Sequence, residues 1–216
     1  MPVSARELLR QSRNLTQAEV EHVVNSALAT MSGKAFRGYV GPATHVQILM
    51  DSRARPTYLL VDLASFGTVF EEHTSRPAVT CDGEPLDSRL YIEYGLNEHG
   101  KWDVTAYPER DWHSMPKYYD IFTKELTVGE FKEINEHQTR ALIGPMDDHD
   151  AEPGHQAADV QQAIWLDLNT LLPVRWEMVV NQRATDYAVT FWYDSTLVLR
   201  PPPVKRKPVC VDYGSR

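Results

Sequence analysis

The hydrophobic pattern of this 216-residue chain changes period once and does not change back. Up to Met31 the apolar residues recur at helical spacing. Beyond Gly33 they alternate with a period of two, the signature of half-buried strands. A parallel pair of strands needs a crossover, usually a helix, and no helical pattern is interleaved among the later strands. The chain is therefore restricted to an α+β fold whose sheet is antiparallel and whose helices precede it.

The helical segment, residues 4–31, reads as two pieces, SARELLRQS and LTQAEVEHVVNSALATM. Thr16 is placed as the N-cap of the second, and Glu19 three residues on completes a capping box. Val20, Val23, Val24, Ala27, Leu28 and Met31 form one apolar stripe, and Gly33 ends the helix. One helix cannot bury such a stripe alone, so it must cover a sheet or plug an opening.

The alternation then begins. Thr44, Val46, Ile48 and Met50 oppose His45, Gln47, Leu49 and Asp51, Arg55-Pro56 marks a turn, and Tyr58 to Leu63 supplies a partner strand. SRLYIEYGL and KWDVTAY flank Asn97-Glu98-His99-Gly100, a hairpin signal. YDIFTKEL, HQTRALIG and three closing strands continue the pattern, for about nine to eleven strands in all. Two stretches interrupt it: residues 108–118, PERDWHSMPKY, read as an ordered loop or lid, and residues 144–160, rich in Gly, Pro and acids, read as a long loop. The predicted layout is one domain over 1–216, with helices in 4–31, sheet in 36–200 and a tail in 201–216.

Alternation is strongest near the C-terminus. Val174, Trp176 and Met178 are expected on one face of their strand, against Arg175, Glu177 and Val179. On the last strand Tyr187, Val189, Phe191 and Tyr193 share a face, against Ala188, Thr190 and Trp192. The wording of residues 163–203 is similar to the closing hairpin of bacterial lipoprotein-carrier-like proteins, the LolA-like, LppX-like and RseB-like group. Asp167, Thr170, Leu172 and Pro173 match its acidic turn, Arg175 its next strand, and Tyr193, Asp194 and Pro201 its exit. KAFRGYVG resembles the helix-to-first-strand entry of the group and HQTRALIGP its mid-sheet strand. The resemblance implies a strongly curved antiparallel half-barrel, with a helix or loop closing over a concave face that holds acyl chains or other apolar ligands.

Composition bounds the partners. A formal charge of −8 argues against a nucleic-acid groove, which needs clustered Lys and Arg. The one short basic cluster, Lys205-Arg206-Lys207, reads as solvated tail. No apolar run reaches the ~18 residues of a membrane span, and MPVSARELLRQSRN lacks the apolar centre of a secretory signal. Two locations stay open: the cell envelope or periplasm, if a signal has been removed, or the cytoplasm. Cys81 and Cys210 have no zinc spacing, and in an exported protein they could tie the tail to the body.

The chemistry-bearing residues are scattered. Asp147, Asp148, His149, Asp150, Glu152 and His155 have the hard-ligand content of a divalent-cation site but the spacing of a solvated acidic loop, so neither metal nor cofactor is expected. Asp111, His113 and Tyr118 in the 108–118 loop, with His45, could carry proton transfer. No Gly-x-Ser-x-Gly elbow or phosphate loop is present. The expected function is binding or carriage of a hydrophobic small molecule or lipid, in carrier or sensor style, with a lipoprotein or envelope protein as a further partner. Trp165, Trp176, Met178, Phe191 and Tyr193 are the predicted wall, Trp192 is the substitute for Phe191 if the opposite face is concave, and Trp112 is the lid. The alternative is a small cytosolic enzyme of cyclase or isomerase type using the same concavity.

Overall fold

A computed structural model describes residues 3–40, 44–50, 56–63, 67–108, 126–145, 160–180, 183–205 and 208–212. Two helices come first, α1 (Ala5–Leu9) and α2 (Gln17–Met31). Each opens with a capping box, Ser4 with Glu7 and Thr16 with Glu19, so the first-turn N–H groups are satisfied locally. Ser32 caps α2, and Gly33 at φ 67° turns the chain into the first strand.

Eleven strands follow: β1 (Ala35–Val40), β2 (Thr44–Met50), β3 (Pro56–Leu63), β4 (Gly67–Val79), β5 (Pro85–Leu96), β6 (Trp102–Pro108), β7 (Thr127–Ile134), β8 (His137–Pro145), β9 (Val160–Asp167), β10 (Pro173–Val180) and β11 (Arg183–Tyr193). They form one antiparallel sheet in the order β6-β5-β4-β3-β2-β1-β11-β10-β9-β8-β7. Every neighbour but one is also a neighbour in sequence. The exception is β1 with β11, where Phe36 pairs with Tyr193 and Val40 with Val189. The sheet is thus two meanders joined at the centre, curved into an open half-barrel with α1 and α2 packed on one face. This is the α+β half-barrel expected from the sequence.

Two strands were not read from the sequence, β7 and β4. YDIFTKEL lies almost wholly outside the described residues, and the strand of that region is β7, TVGEFKEI. β4 is thirteen residues long and pairs with β5 through two register shifts, across Pro77. The predicted hairpin after Leu96 is present: Asn97 N–H and Lys101 C=O bond at 2.9 Å, with Gly100 at φ 68°.

Register fixes the faces, because side chains alternate and paired residues share a side. The inner face, against the helices, carries Phe36, Val46, Ile48, Val61, Tyr91, Leu142, Ile164, Leu166, Trp176, Val189 and Phe191, in one cluster with Leu8, Leu9 and the α2 stripe. Gly38 sits in this wall because a Cβ there would lie 2.9 Å from Val189 Cγ1 and 3.2 Å from Phe191 Cδ1. The outer face carries two separate clusters. Ile134, Ala141, Trp165 and Val174 form one. Phe70, Leu90, Ile92, Tyr94 and Ala106 form the other, covered by Leu199 and Val211 of the C-terminal segment. Lys205 of the basic cluster is exposed and 206–207 lie outside the described residues, while Val211 beyond them is packed. Val211 donates to Val79 C=O at 2.8 Å, Cys81 donates to Val211 C=O at 3.1 Å, and a Cys81–Cys210 disulfide closes the contact.

The concave face as candidate functional site

The turn that carries the family resemblance is built for structure. Asp167 Oδ1 accepts from Asn169 N at 2.8 Å, Thr170 N at 2.6 Å and Thr170 Oγ1 at 2.9 Å, and Oδ2 lies 2.8 Å from His137 Nδ1. Burial pushes the Asp167 carboxyl up, but His137 and the Thr170 contacts outweigh it and hold it below the usual range. Asp194 does the same service at the sheet exit: Thr196 first, then Arg37 at 2.9 Å, bring its carboxyl down to about 2. These residues place the strands that line the face.

The predicted wall residues separate. Trp176, Met178, Phe191 and Tyr193 are together on the inner face. Trp176 is 1% exposed, and its Nε1 donates to Gln162 Oε1 at 3.1 Å. Phe191 meets Phe36 edge-on at 5.2 Å, and Tyr193 packs on the same ring at 5.5 Å. Trp165 is a correction. It pairs with Arg175, not Trp176, so it faces outward, where its Nε1 donates to Glu177 Oε1 at 2.9 Å and Lys132 lies over its ring. Val174 is also outward, at the register shift that opens β10, contrary to its expected side with Trp176. Trp192 is outward too, against Tyr39 at 4.7 Å, and does not replace Phe191. Arg175 and Glu177 pair at 2.7 Å along one strand.

His45 is exposed on the outer face beside Tyr39, so it does not reach the concavity. Trp112, Asp111, His113 and Tyr118 lie outside the described residues, as do the 108–118 loop beyond Pro108 and the acidic residues 147–155. Among the described residues no three His, Cys, Asp or Glu side chains are grouped to hold a metal ion.

One group of inner-face residues escaped the sequence reading. Cross-strand pairing runs Tyr193, Phe36, Ile48, Leu59, Glu71, Glu93 and Thr105 in a single row from β11 to β6. The adjacent pair, His73 opposite Tyr91, lies beside Glu71 and Glu93. Glu71 is 1% exposed, with His73 and Tyr91 beside its carboxyl. His73 Nε2 is 3.6 Å away. Tyr91 Oη donates to Glu93 Oε2 at 3.3 Å. Burial raises the Glu71 carboxyl above the ordinary range, against the lowering effects of His73 and Tyr91. At the other end of the row the Tyr193 hydroxyl is also buried, and burial raises it. The signal was present as two i, i+2 pairs, Glu71 with His73 and Tyr91 with Glu93, each on one face of a strand. From Tyr193 to Glu71 the row reads polar, apolar, apolar, apolar, polar, over about 19 Å of sheet at ~4.8 Å per strand.

At the base of the face Arg140, 2% exposed, holds the helical segment to the sheet. Its guanidinium donates to Leu9 C=O at 3.3 Å, Gln11 C=O and Arg13 C=O at 3.0 Å, and its Nε to Gly129 C=O at 3.1 Å. It thus donates to carbonyls at the end of α1 and in the segment that follows it.

No family model and no curated protein sequence matches the chain. Solved structures similar to it include a DUF1329 family protein from Desulfovibrio piger, 9% identical, covering 85% of this chain and 96% of its own, with a TM-score of 0.42. A domain described as an outer membrane lipoprotein-sorting protein, from Vibrio parahaemolyticus, is 9% identical over 76% of this chain and 86% of its own, with a TM-score of 0.32. A hypothetical protein from Chlamydia trachomatis is 10% identical over 88% of this chain and 99% of its own, with a TM-score of 0.35. The fold assignment rests on the strand order and register given above.

Proposed function

We propose that the chain binds a hydrophobic or amphipathic ligand, an acyl chain or the lipid of a lipoprotein, on the concave face of its sheet, as a carrier or sensor, with α2 yielding to the ligand. The observation that carries this reading is the chemistry of the contact between α2 and the sheet. Every side-chain hydrogen bond described for α2 closes within the helix or on the turn before it, as in Glu19 with Thr16 and Arg13, Ser26 with His22 and Thr30 with Ser26. Toward the sheet the helix presents Val20, Val23, Val24, Ala27 and Met31. Apolar packing is non-directional, so another apolar surface can take its place.

The magnitudes are matched. Burying each Val or Met contributes about 1.5–3 kcal/mol, and each CH₂ of a ligand about 0.8 kcal/mol. A chain of roughly ten methylenes therefore recovers about 8 kcal/mol, the same order as the stripe it displaces. Arg140 anchors the segment before α2, and the chain leaves α2 directly into β1, so the helix can lift without leaving the molecule. The Cys81–Cys210 disulfide favours an oxidising compartment such as the periplasm. No helix among the described residues is long and apolar enough to cross a membrane.

Brominated dodecanol tests the proposal, because bromine quenches tryptophan only on contact. Saturable quenching is expected that is largely lost in Trp176→Phe, which faces the concavity, and retained in Trp165→Phe, which faces away. Quenching that follows Trp165, or none, would remove the reading.

A further inference from the structure

The segment that follows β11 is a strap across the outer face. Its root is held by a turn of its own, where Asp194 Oδ1 accepts from Thr196 N at 2.9 Å and Leu197 N donates to Asp194 C=O at 3.1 Å. Farther on, Leu199 and Val211 lie on the cluster of Phe70, Leu90, Ile92 and Tyr94. Between them Pro201, Pro202, Pro203 and Pro208 have no N–H to give to a ladder. The strap is also shallow, with Val198 68% and Val209 63% exposed. Its far end meets the sheet at the Thr80–Val211 bridge and is locked there by the Cys81–Cys210 disulfide.

Two features suit this lock to opening. Cys81 is exposed, so a thiolate in solution can reach its sulfur, and exposed disulfides are the more readily exchanged ones. The turn that carries Cys81 is closed by its own bonds, Thr80 N to Glu84 C=O at 2.8 Å and Gly83 N to Thr80 C=O at 2.9 Å, so it keeps its shape without the strap. Once the disulfide is cut, a few apolar contacts must order the segment from Leu197 to Val211 against its conformational entropy. We propose that the strap is a redox-sensitive cover. Oxidised, it shields the outer apolar face of β4 to β6; reduced by a dithiol, it leaves that face open while the half-barrel stays folded. One thiolate of the dithiol attacks Cys81 Sγ, the S–S bond breaks, and Cys210 leaves as a thiolate that takes up a proton. The second thiolate attacks the mixed disulfide and releases Cys81, which is protonated in turn. The dithiol ends as its own disulfide, and two electrons have passed to the chain. The cover lies on the face opposite the concave site and opens independently of it.

Hydroxyl-radical footprinting of the full chain reads side-chain exposure directly. The chain is reduced with dithiothreitol in non-denaturing buffer, its two thiols are capped with iodoacetamide, and the reductant is removed. Phe70 and Tyr94, 3% and 0% exposed in the covered cluster, should then be oxidised roughly fivefold faster or more than in the untreated chain. Phe36 and Tyr91, just as buried on the inner face, should stay within about twofold. Cys81→Ser with Cys210→Ser should give the same pattern with neither reductant nor caps. Unchanged rates at Phe70 and Tyr94 in either sample would show that the apolar contacts hold the strap alone, and would overturn the cover. A rise at all four residues, which marks loss of the fold, would overturn it as well. So would thiols that take up iodoacetamide only after denaturation, since the bond would then be closed to a dithiol in the folded chain.

Discussion

At the scale of single residues the inner face mixes tight packing with two buried titratable groups, the Glu71 carboxyl and the Tyr193 hydroxyl. Gly38 belongs to the packing, since its missing Cβ is what lets Val189 and Phe191 close over β1. Gly38→Ala is expected to destabilise the fold by about 1–3 kcal/mol, read as a lowered denaturation midpoint. Glu71 belongs to the second kind. Its carboxyl is raised in the folded chain, so its contribution is fully present below the unfolded value near 4.3 and is lost as pH rises through the folded one. The groups facing it are His73, Tyr91 and Glu93. Glu71→Gln should therefore gain stability over the unmodified chain as pH rises from 4 to 8, measured as a widening gap in unfolding temperature. Asp167 has the opposite sign: its lowered carboxyl supports the fold above pH ~4 and fails it as pH falls through the folded value. Asp167→Asn should flatten that acid limb.

At the scale of elements, what could be read in the sequence was what is encoded locally. Thr16 and Glu19 announce the start of α2 because a capping box is a three-residue interaction, and the Val20–Met31 stripe announces its buried side. The hairpin after Leu96 was legible for the same reason. Faces were harder. Alternation sorts each strand into two sides but does not say which side of one strand continues into the next. Trp165 and Trp176 look equivalent in sequence, and only the pairing of Trp165 with Arg175 puts them on opposite faces. Val174 was misplaced because a register shift breaks the alternation at the start of β10. The Glu71 row needed the same parity to be carried across six strand pairs, a non-local fact. Thr16→Ala should cost α2 about 1 kcal/mol by removing its cap. If α2 is the displaceable element, that variant should also bind brominated dodecanol more tightly, seen as a lower half-saturation concentration.

At the scale of the molecule, β1 with β11 is the pairing that makes one sheet of two meanders, and the tail then crosses back over the outer face of β3 to β6. The Cys81–Cys210 bond spans 129 residues. Closing so long a loop contributes about 5 kcal/mol in chain-entropy terms. Cys81→Ser with Cys210→Ser should lower the unfolding free energy by about 2–4 kcal/mol and leave probe binding unchanged, because the disulfide lies on the face opposite the proposed site. Hydrogen exchange of the full chain with and without dodecanol tests the central claim most directly. The account expects added dodecanol to speed exchange in α2 while slowing it in β1, β10 and β11. Unchanged exchange in those elements, or protection confined to the outer-face cluster around Trp165, would contradict it.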